Sequence, residues 1–518
     1  VNTTFAPGSP SVLADIPDVV DCDFCIIGSG MGGATLALAL RDSGAKVLVL
    51  EQGDFLPIEL QNWDVKAIHL EGRYKNSEPW VNAMGHEYVP ATYHYVGGAT
   101  KFYGATLPRF REFDFGDVEH PDGVSPAWPL SYSELEPYYE RAEKIFWVHG
   151  TQGEDPTEAW RSSDYPFPSV PHESTVEEFA ASARAQGLRP FHLPLGIDYR
   201  DGGKCLRCGF CDATPCMVQA KGDAEFSAMR PALESPSVKL MTRAQVLSLR
   251  TDQSGRRVVE AAVRRDGRTI SVRASRFVVA AGAVNTAALL LRSRSDDHPN
   301  GLANASGQVG RNFMLHTTSF FVAIDPRRRN RAIHQKTLGI NDWYEPGPTN
   351  RYPLGNVQGL GKIYGATIKG ARKWVPLTVL DKVAQRTLDL FVQTEDLPLR
   401  ENSISIDGKG RVVVRRRATN LSSHRELVSR LTGVVKAAGY PIVVHEELGS
   451  EATAHQCGTA CMGDSGANSV VNRDGQAHDV DNLSIVDASV FPSSAAVNPA
   501  LTVAAFALRA AESESFLH

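Results

Sequence analysis

Three sets of residues in this chain have types and spacings that could do chemistry. The first is Gly28-Ser29-Gly30-Met31-Gly32-Gly33, a G-x-G-x-x-G run between apolar Phe24-Cys25-Ile26-Ile27 and Leu36-Ala37-Leu38-Ala39-Leu40. Gly28 permits a tight turn, Gly30 lets a pyrophosphate approach the backbone, and Gly33 lets helix and sheet pack closely. Glu51 ends a second apolar stretch, Val47-Leu48-Val49-Leu50, where an acidic side chain meets a ribose hydroxyl in dinucleotide-binding units. The second set is Cys205, Cys208, Cys211 and Cys216. Their C-x2-C-x2-C-x4-C spacing could gather four thiolates for an iron–sulfur cluster or a zinc ion, and the same loop could equally hold nothing. The third set lies near the end of the chain, at His455 and Asn498. An imidazole can take a proton near neutral pH, and a carboxamide can hydrogen-bond an alcohol oxygen. A structural histidine and an Asn-Pro helix start would account for them as well.

The surrounding elements must place these groups. Strand, glycine turn, helix and second strand over residues 23–51 form one nucleotide-binding unit. Gly97-Gly98, with Lys101 close behind, lets backbone touch a flat ligand, after an aromatic excursion through Tyr74, Trp80, Tyr88, Tyr93 and Tyr95. Ser131 and Glu134 form a capping box that predicts a helix over the following residues. Strands are expected at 239–249 and 258–273. A buried strand at 276–281 meets Gly282, and a helix follows over 284–291, so the chain returns to the nucleotide sheet. Residues 315–445 read as strands with long loops and a helix at 423–438, a second domain of antiparallel character. Asn498-Pro499 opens an alanine-rich helix running to Ala511.

Length and composition bound the rest. A chain of 518 residues exceeds one ordinary core, and 42% hydrophobic with 22% charged residues is globular. A net charge of −5 gives no sign of a nucleic-acid partner, and no run of 18 apolar residues predicts a membrane span. The first ten residues lack the basic and apolar regions of a signal peptide. Eight cysteines in so long a chain do not make a disulfide scaffold, which points to the cytoplasm.

The ordered motifs resemble the glucose–methanol–choline (GMC) family of FAD oxidoreductases. His455 with Gly458 and Thr459 matches the family's H-x-x-G-T. Asp487-Ala488-Ser489 with Pro492 matches its D-A-S-x-x-P, and Asn498 stands where Asn or His opens the last helix. Gly28, Gly30, Gly33 and Glu51 match its FAD-binding start, Gly97-Gly98 its flavin loop, Val246 the adenine-holding segment, and Gly282-Ala283 its second signature. The resemblance implies an α/β fold: a discontinuous Rossmann-like FAD-binding domain (15–115, 205–315, 448–518) plus an α+β substrate domain with an antiparallel sheet (116–204, 316–447). It implies Gly28, Gly30, Gly33, Glu51, Gly97, Gly98, Val246 and Asp487 as cofactor-binding residues. It also implies His455 as the base and Asn498 as its partner, with hydride passing to flavin N5.

Val497-Asn498-Pro499-Ala500-Leu501-Thr502 resembles the sugar-oxidising branch, which includes pyranose oxidase. Some of those enzymes attach FAD to a histidine after the double glycine. Here Phe102 stands there, so FAD is expected to be non-covalent. Cys211 to Ala224 is similar to sugar dehydrogenases that carry an iron–sulfur cluster, but Met217 replaces the proline that follows the last cysteine. A cluster is therefore possible and not favoured. The implied reaction oxidises a secondary alcohol of a sugar or glycoside, with oxygen, a quinone or a protein as electron acceptor. The rivals are a sterol or cyclitol substrate, an electron-transfer subunit built on a cluster, and a flavoprotein that has lost catalysis.

Overall fold

A computed structural model describes residues 11–13, 17–449 and 455–517. The first ten residues, and the domain boundary drawn at residue 15, lie outside the described residues, as does the stretch 450–454.

Strand Val19–Ile27 lies inside a seven-stranded sheet, flanked in parallel by Val47–Leu50 and Arg268–Val279. Val238–Met241 extends the sheet beyond Val47–Leu50, also in parallel, and Leu483–Ile485 pairs parallel with Arg268–Val279. On the far side Val258–Arg265 and Gln245–Thr251 run antiparallel. Val47–Leu50 is buried along its whole length, as parallel strands covered on both faces are. Helix Met31–Leu40 is buried nearly all round because it packs between this sheet and helix Ala500–Glu512. Glycine is needed there. A Cβ on Gly33 would sit 2.0 Å from the Gly28 carbonyl oxygen, and one on Gly32 would sit 1.9 Å from that of Val486.

The second sheet has six strands in the order Ile442–Glu447, His316–Ile324, Thr387–Glu395, Asn356–Gly359, Leu338–Ile340 and Phe191–His192. Every pairing in it is antiparallel. Leu427, Leu431 and Val435 of helix Leu421–Ala437, with Phe179 of helix Ser174–Ala185, join Phe321 and Leu390 in its core. Asn356 and Gln358 alternate with Val357 and so share a face, and Asn356 lies opposite Gln393.

The later helices fall within two residues of expectation. The strand expected at 239–249 is instead two, Val238–Met241 and Gln245–Thr251, at opposite edges of the sheet. That expected at 258–273 is a hairpin, Val258–Arg265 and Arg268–Val279, turning at Asp266-Gly267 and absorbing the strand expected at 276–281. The capping box forms, starting helix Tyr132–Ile145. The helix at 284–291 runs Ala283–Arg292, and that at 423–438 runs Leu421–Ala437. The final helix departs from expectation: it begins at Ala500 with Pro499 at the cap, so Asn498 is not the N-cap. Its carboxamide is drawn away to other side chains instead of the helix's free N–H groups.

Candidate active site

The glycine turn builds a groove. Gly28 has φ +106°, and a Cβ there would meet the Ala280 carbonyl oxygen at 2.4 Å. Above Gly30 the space is open, with nothing within 4 Å of where a Cβ would stand, and the same holds at Gly282. Gly97 and Gly98 both have positive φ, and Gly98 backs onto Gly30, where a Cβ would come within 3.1 Å of the Gly30 Cα. The helix Met31–Leu40 presents its N-terminus here, so unpaired N–H groups and a partial positive charge face the opening.

Glu51 sits at the groove's edge. Its Oε2 accepts from Ser29 Oγ at 2.6 Å and Ser29 N at 3.1 Å, and its Oε1 accepts from Gly53 N at 2.9 Å. Burial pushes its pKa up while these bonds oppose the shift. Ala244 N donates to the Glu51 carbonyl at 2.8 Å, which brings the half-buried Val246 alongside. The Asp487 carboxylate is engaged within the protein: it accepts from Gly282 N at 2.9 Å, Thr286 Oγ1 at 2.6 Å and Ser489 N at 2.8 Å. It thereby joins the last strand's end to the turn at Gly282.

His455 and Asn498 come together across 43 residues of chain, with Asn498 Nδ2 3.1 Å from His455 Nε2. His455 has φ +61°, a left-handed conformation that is costly for a non-glycine residue and concentrates at functional sites. Its loop is fastened to the nucleotide sheet by Gly458 N donating to the Ala488 carbonyl (3.1 Å) and Thr459 Oγ1 donating to that of Ala283 (2.6 Å). Behind the pair stand two residues that sequence reasoning missed. His316 Nδ1 lies 3.1 Å from His455 Nδ1, and Gln358 Nε2 donates to Asn498 Oδ1 at 3.1 Å. His455 and Asn498 remain partly exposed, whereas His316 and Gln358 are buried. Burial pushes the His455 imidazole well below the ordinary 6.5, and His316 and Lys336 add to the shift. Both missed residues carried a signal. His316-Thr317-Thr318-Ser319 is a polar run opening a buried strand, and Gln358 follows Asn356 on a strand buried at every position. Buried polar groups need partners.

Phe102 is buried in an aromatic cluster, stacked on Tyr93 at 3.6 Å between ring centres, with Tyr74 and Tyr95 nearby. Tyr74, Tyr93 and Tyr95 of the aromatic excursion make this cluster, while Trp80 and Tyr88 pair with each other elsewhere.

The four clustered cysteines, left open in sequence between a metal site and an empty loop, lie on one loop without converging on a common point. Among the described residues no group of three or more His, Cys, Asp or Glu side chains could hold a metal ion. All four are free thiols, and burial pushes Cys205 up to about 11 and raises Cys208 and Cys211. The loop is wrapped around an ammonium instead. Lys221 Nζ donates to the carbonyls of Thr214 (2.7 Å), Cys211 (2.9 Å) and Lys101 (3.2 Å). Phe210 stacks between Trp63 and Tyr364 and holds the loop's outer side.

A dinucleotide groove on a mixed, mostly parallel sheet, joined to an antiparallel sheet that backs a histidine–asparagine pair, defines a dinucleotide-dependent oxidoreductase. The chain belongs to the GMC oxidoreductase family: residues 125–318 and 420–507 match that family, and residues 26–74 match the NAD(P)-binding Rossmann-like domain. It is 30% identical to 6'''-hydroxyparomomycin C oxidase of Streptomyces lividus over 94% of this chain and 90% of that protein. It is also 30% identical to paromamine 6'-oxidase of Streptomyces fradiae, over 95% and 90%. Among solved structures, pyridoxine 4-oxidase from Mesorbium loti shares the fold with a TM-score of 0.65 at 20% identity, covering 95% of this chain and 98% of that one. The protein is an oxidoreductase acting on CH–OH groups.

Proposed function

We propose that this protein oxidises a secondary alcohol of a sugar or glycoside to a keto-sugar, with non-covalent FAD and with His455 taking the hydroxyl proton. The observation that carries the reading is the partly exposed His455–Asn498 pair, held neutral by burial and fastened to the nucleotide sheet through Thr459 and Ala283. The open space above Gly30 and Gly282, with Gly98 close behind, fits a dinucleotide; Glu51 and the backbone beside Val246 would hold its ribose and adenine. FAD supplies the hydride acceptor. Asn498 orients the alcohol oxygen, and His455 Nε2 removes its proton. The aminoglycoside oxidases among its relatives support a small polar glycoside as substrate.

The discontinuous FAD-binding domain (15–115, 205–315, 448–518) and the substrate domain (116–204, 316–447) are part of this reading, since the two sheets draw their strands from those segments. Among the described residues no helix is long and apolar enough to cross a membrane. We place the enzyme in the cytoplasm, where its eight free cysteines stay reduced. Oxygen, a quinone or a protein serves as acceptor.

An anaerobic flavin spectrum recorded against a panel of sugars, glycosides, sterols and cyclitols tests the substrate class, and bleaching by the sugar members alone is expected. Product analysis must then find a ketone; an aldehyde would move the reaction to a primary alcohol. Acid precipitation should leave yellow cofactor in the supernatant, because Phe102 offers no histidyl link.

A further inference from the structure

We propose that His316 is a positioning residue that holds His455 in the tautomer with its proton on Nδ1, so that Nε2 carries a lone pair, held by Asn498 until the substrate hydroxyl takes its place. The inference rests on the reading of His455 as base.

It follows from the direction of a single chain of hydrogen bonds. One end is the Asp155 carboxylate, which takes a 2.6 Å bond from Arg111 and can only accept. It accepts from Asn341 Nδ2 at 2.8 Å, so the Asn341 oxygen faces onward and accepts from Asn356 Nδ2 at 2.7 Å. The Asn356 oxygen then accepts from Gln358 Nε2 at 3.3 Å, and the second proton of that amide goes to Asn498 Oδ1 at 3.1 Å. The orientation of Asn498 is thereby fixed with its NH2 toward His455 Nε2. A donor at 3.1 Å requires a lone pair on Nε2, so the proton of neutral His455 is on Nδ1.

The other end gives the same answer. His316 Nε2 lies 3.3 Å from the Ser494 carbonyl oxygen, which can only accept, so Nε2 carries the proton of neutral His316. Its Nδ1 is then a lone pair facing His455 Nδ1 at 3.1 Å. Gln393 Oε1 lies 3.4 Å from the same nitrogen, and turning that amide over would bring its otherwise unpartnered Nε2 there as a donor, which suits a lone pair on Nδ1. Two acceptor-only ends thus impose one polarity on the whole chain. Asn341, Asn356, Gln358 and His316 are all buried, so bulk solvent does not compete for these bonds.

The arrangement has two consequences for proton transfer. Before reaction, Nε2 already carries its lone pair, and the entering hydroxyl needs only to displace Asn498 Nδ2 from it, with no tautomer change. When the substrate O–H breaks and its proton binds Nε2, the resulting imidazolium donates Nδ1–H to the neutral His316, as the third member of a catalytic triad steadies its histidine. His316 itself must stay uncharged, since a protonated His316 would oppose Nδ1–H with a second donor. Burial lowers its pKa, and Glu395 and Asp396 oppose that shift. Arg416, paired with Asp396 at 2.8 Å, and Lys336 on the His455 side are the cations nearby.

The test uses holoenzyme in three forms: wild type, His316→Leu and His316→Asn. Asparagine can place its oxygen near the position of Nδ1 and accept the same bond. Flavin reduction by a turned-over sugar is expected to slow about 10- to 100-fold in H316L, mainly in kcat, and to recover most of the wild-type rate in H316N. Imidazole 15N–1H spectra of the wild-type protein, with His455 identified by its loss in H455Q, should show a protonated Nδ1 and an unprotonated Nε2. A protonated Nε2 in the wild type, or H316L at wild-type rate, overturns the role of His316. Near-normal reduction in His455→Ala would instead overturn the base assignment itself.

Discussion

Two parts of this molecule gather residues that could do chemistry, and they do it in opposite ways. The cysteine loop carries its four thiols within twelve consecutive residues, yet among the described residues they form no ligand set. The histidine site collects His316, Gln358, His455 and Asn498 from across the chain and joins them through bonds of 3.1 Å. Close spacing in sequence leaves a loop free to turn either its sulfurs or its carbonyls inward, and Lys221 takes the carbonyls. Distant residues meet only once the fold has formed: His316 and Gln358 are placed by the antiparallel sheet, and His455 and Asn498 by loops packed against it.

Removing one group from each region sharpens the comparison. His455→Ala should slow flavin reduction by about 100-fold or more while the flavin spectrum of the purified protein is retained. Rapid-mixing absorbance reads this directly, and an unchanged rate would move the proton to another acceptor. Lys221→Met should act on stability and leave the chemistry nearly intact. It strips three buried carbonyls of their donor, and about 2 kcal/mol should be lost in denaturant unfolding of the holoprotein. Should stability hold, the loop is not organised around that ammonium. Asn498→Ala should slow flavin reduction about tenfold, the scale of losing one oriented hydrogen bond of ~1.4 kcal/mol. Since Pro499 occupies the cap, its unfolding midpoint should hardly move. Smallest of all should be the replacement of Cys205, Cys208, Cys211 and Cys216 together by serine, within about 1 kcal/mol of wild type and with normal flavin reduction. Stoichiometric iron and acid-labile sulfide in anaerobically prepared wild-type protein would reverse that ranking.

The pH profile adds a further check on the histidine side. A base must be neutral, and the neutral form disappears as pH falls through its pKa. The pKa of His455 is pushed well below 6.5, so flavin reduction should be flat from neutral pH through 6.5 and decline only in stronger acid. A midpoint at or above 6.5 would mean that the imidazole is not held neutral by its surroundings.

What could be read from sequence follows the same division. The glycine turn, Glu51 and the first helix were legible because their physics is local: each glycine has a backbone carbonyl or open groove where a side chain would stand. The capping box of Ser131 and Glu134 is likewise local, and it forms as expected. His455 and Asn498 were legible through the resemblance of their motifs, and the contact between them needed the fold. His316 and Gln358 were not legible, because a polar residue on a strand announces its need for a partner without naming it. Asn498 shows the limit of local rules. Asn-Pro is a good helix start, but a bond to Gln358 on one side and to His455 on the other outcompetes the cap.

The parallel sheet takes its last strand, Leu483–Ile485, from far along the chain, and helix Ala500–Glu512 packs on the helix that opens the nucleotide groove. During synthesis the first strands emerge hundreds of residues before these pieces exist. Pairings so distant in sequence are slow to close and leave apolar edges waiting. A ribosome must therefore release the chain through helix Ala500–Glu512 before the groove is complete. Flavin capture then becomes a signal that synthesis has passed this strand and helix, and a nascent protein cut short anywhere before residue 483 should emerge colourless.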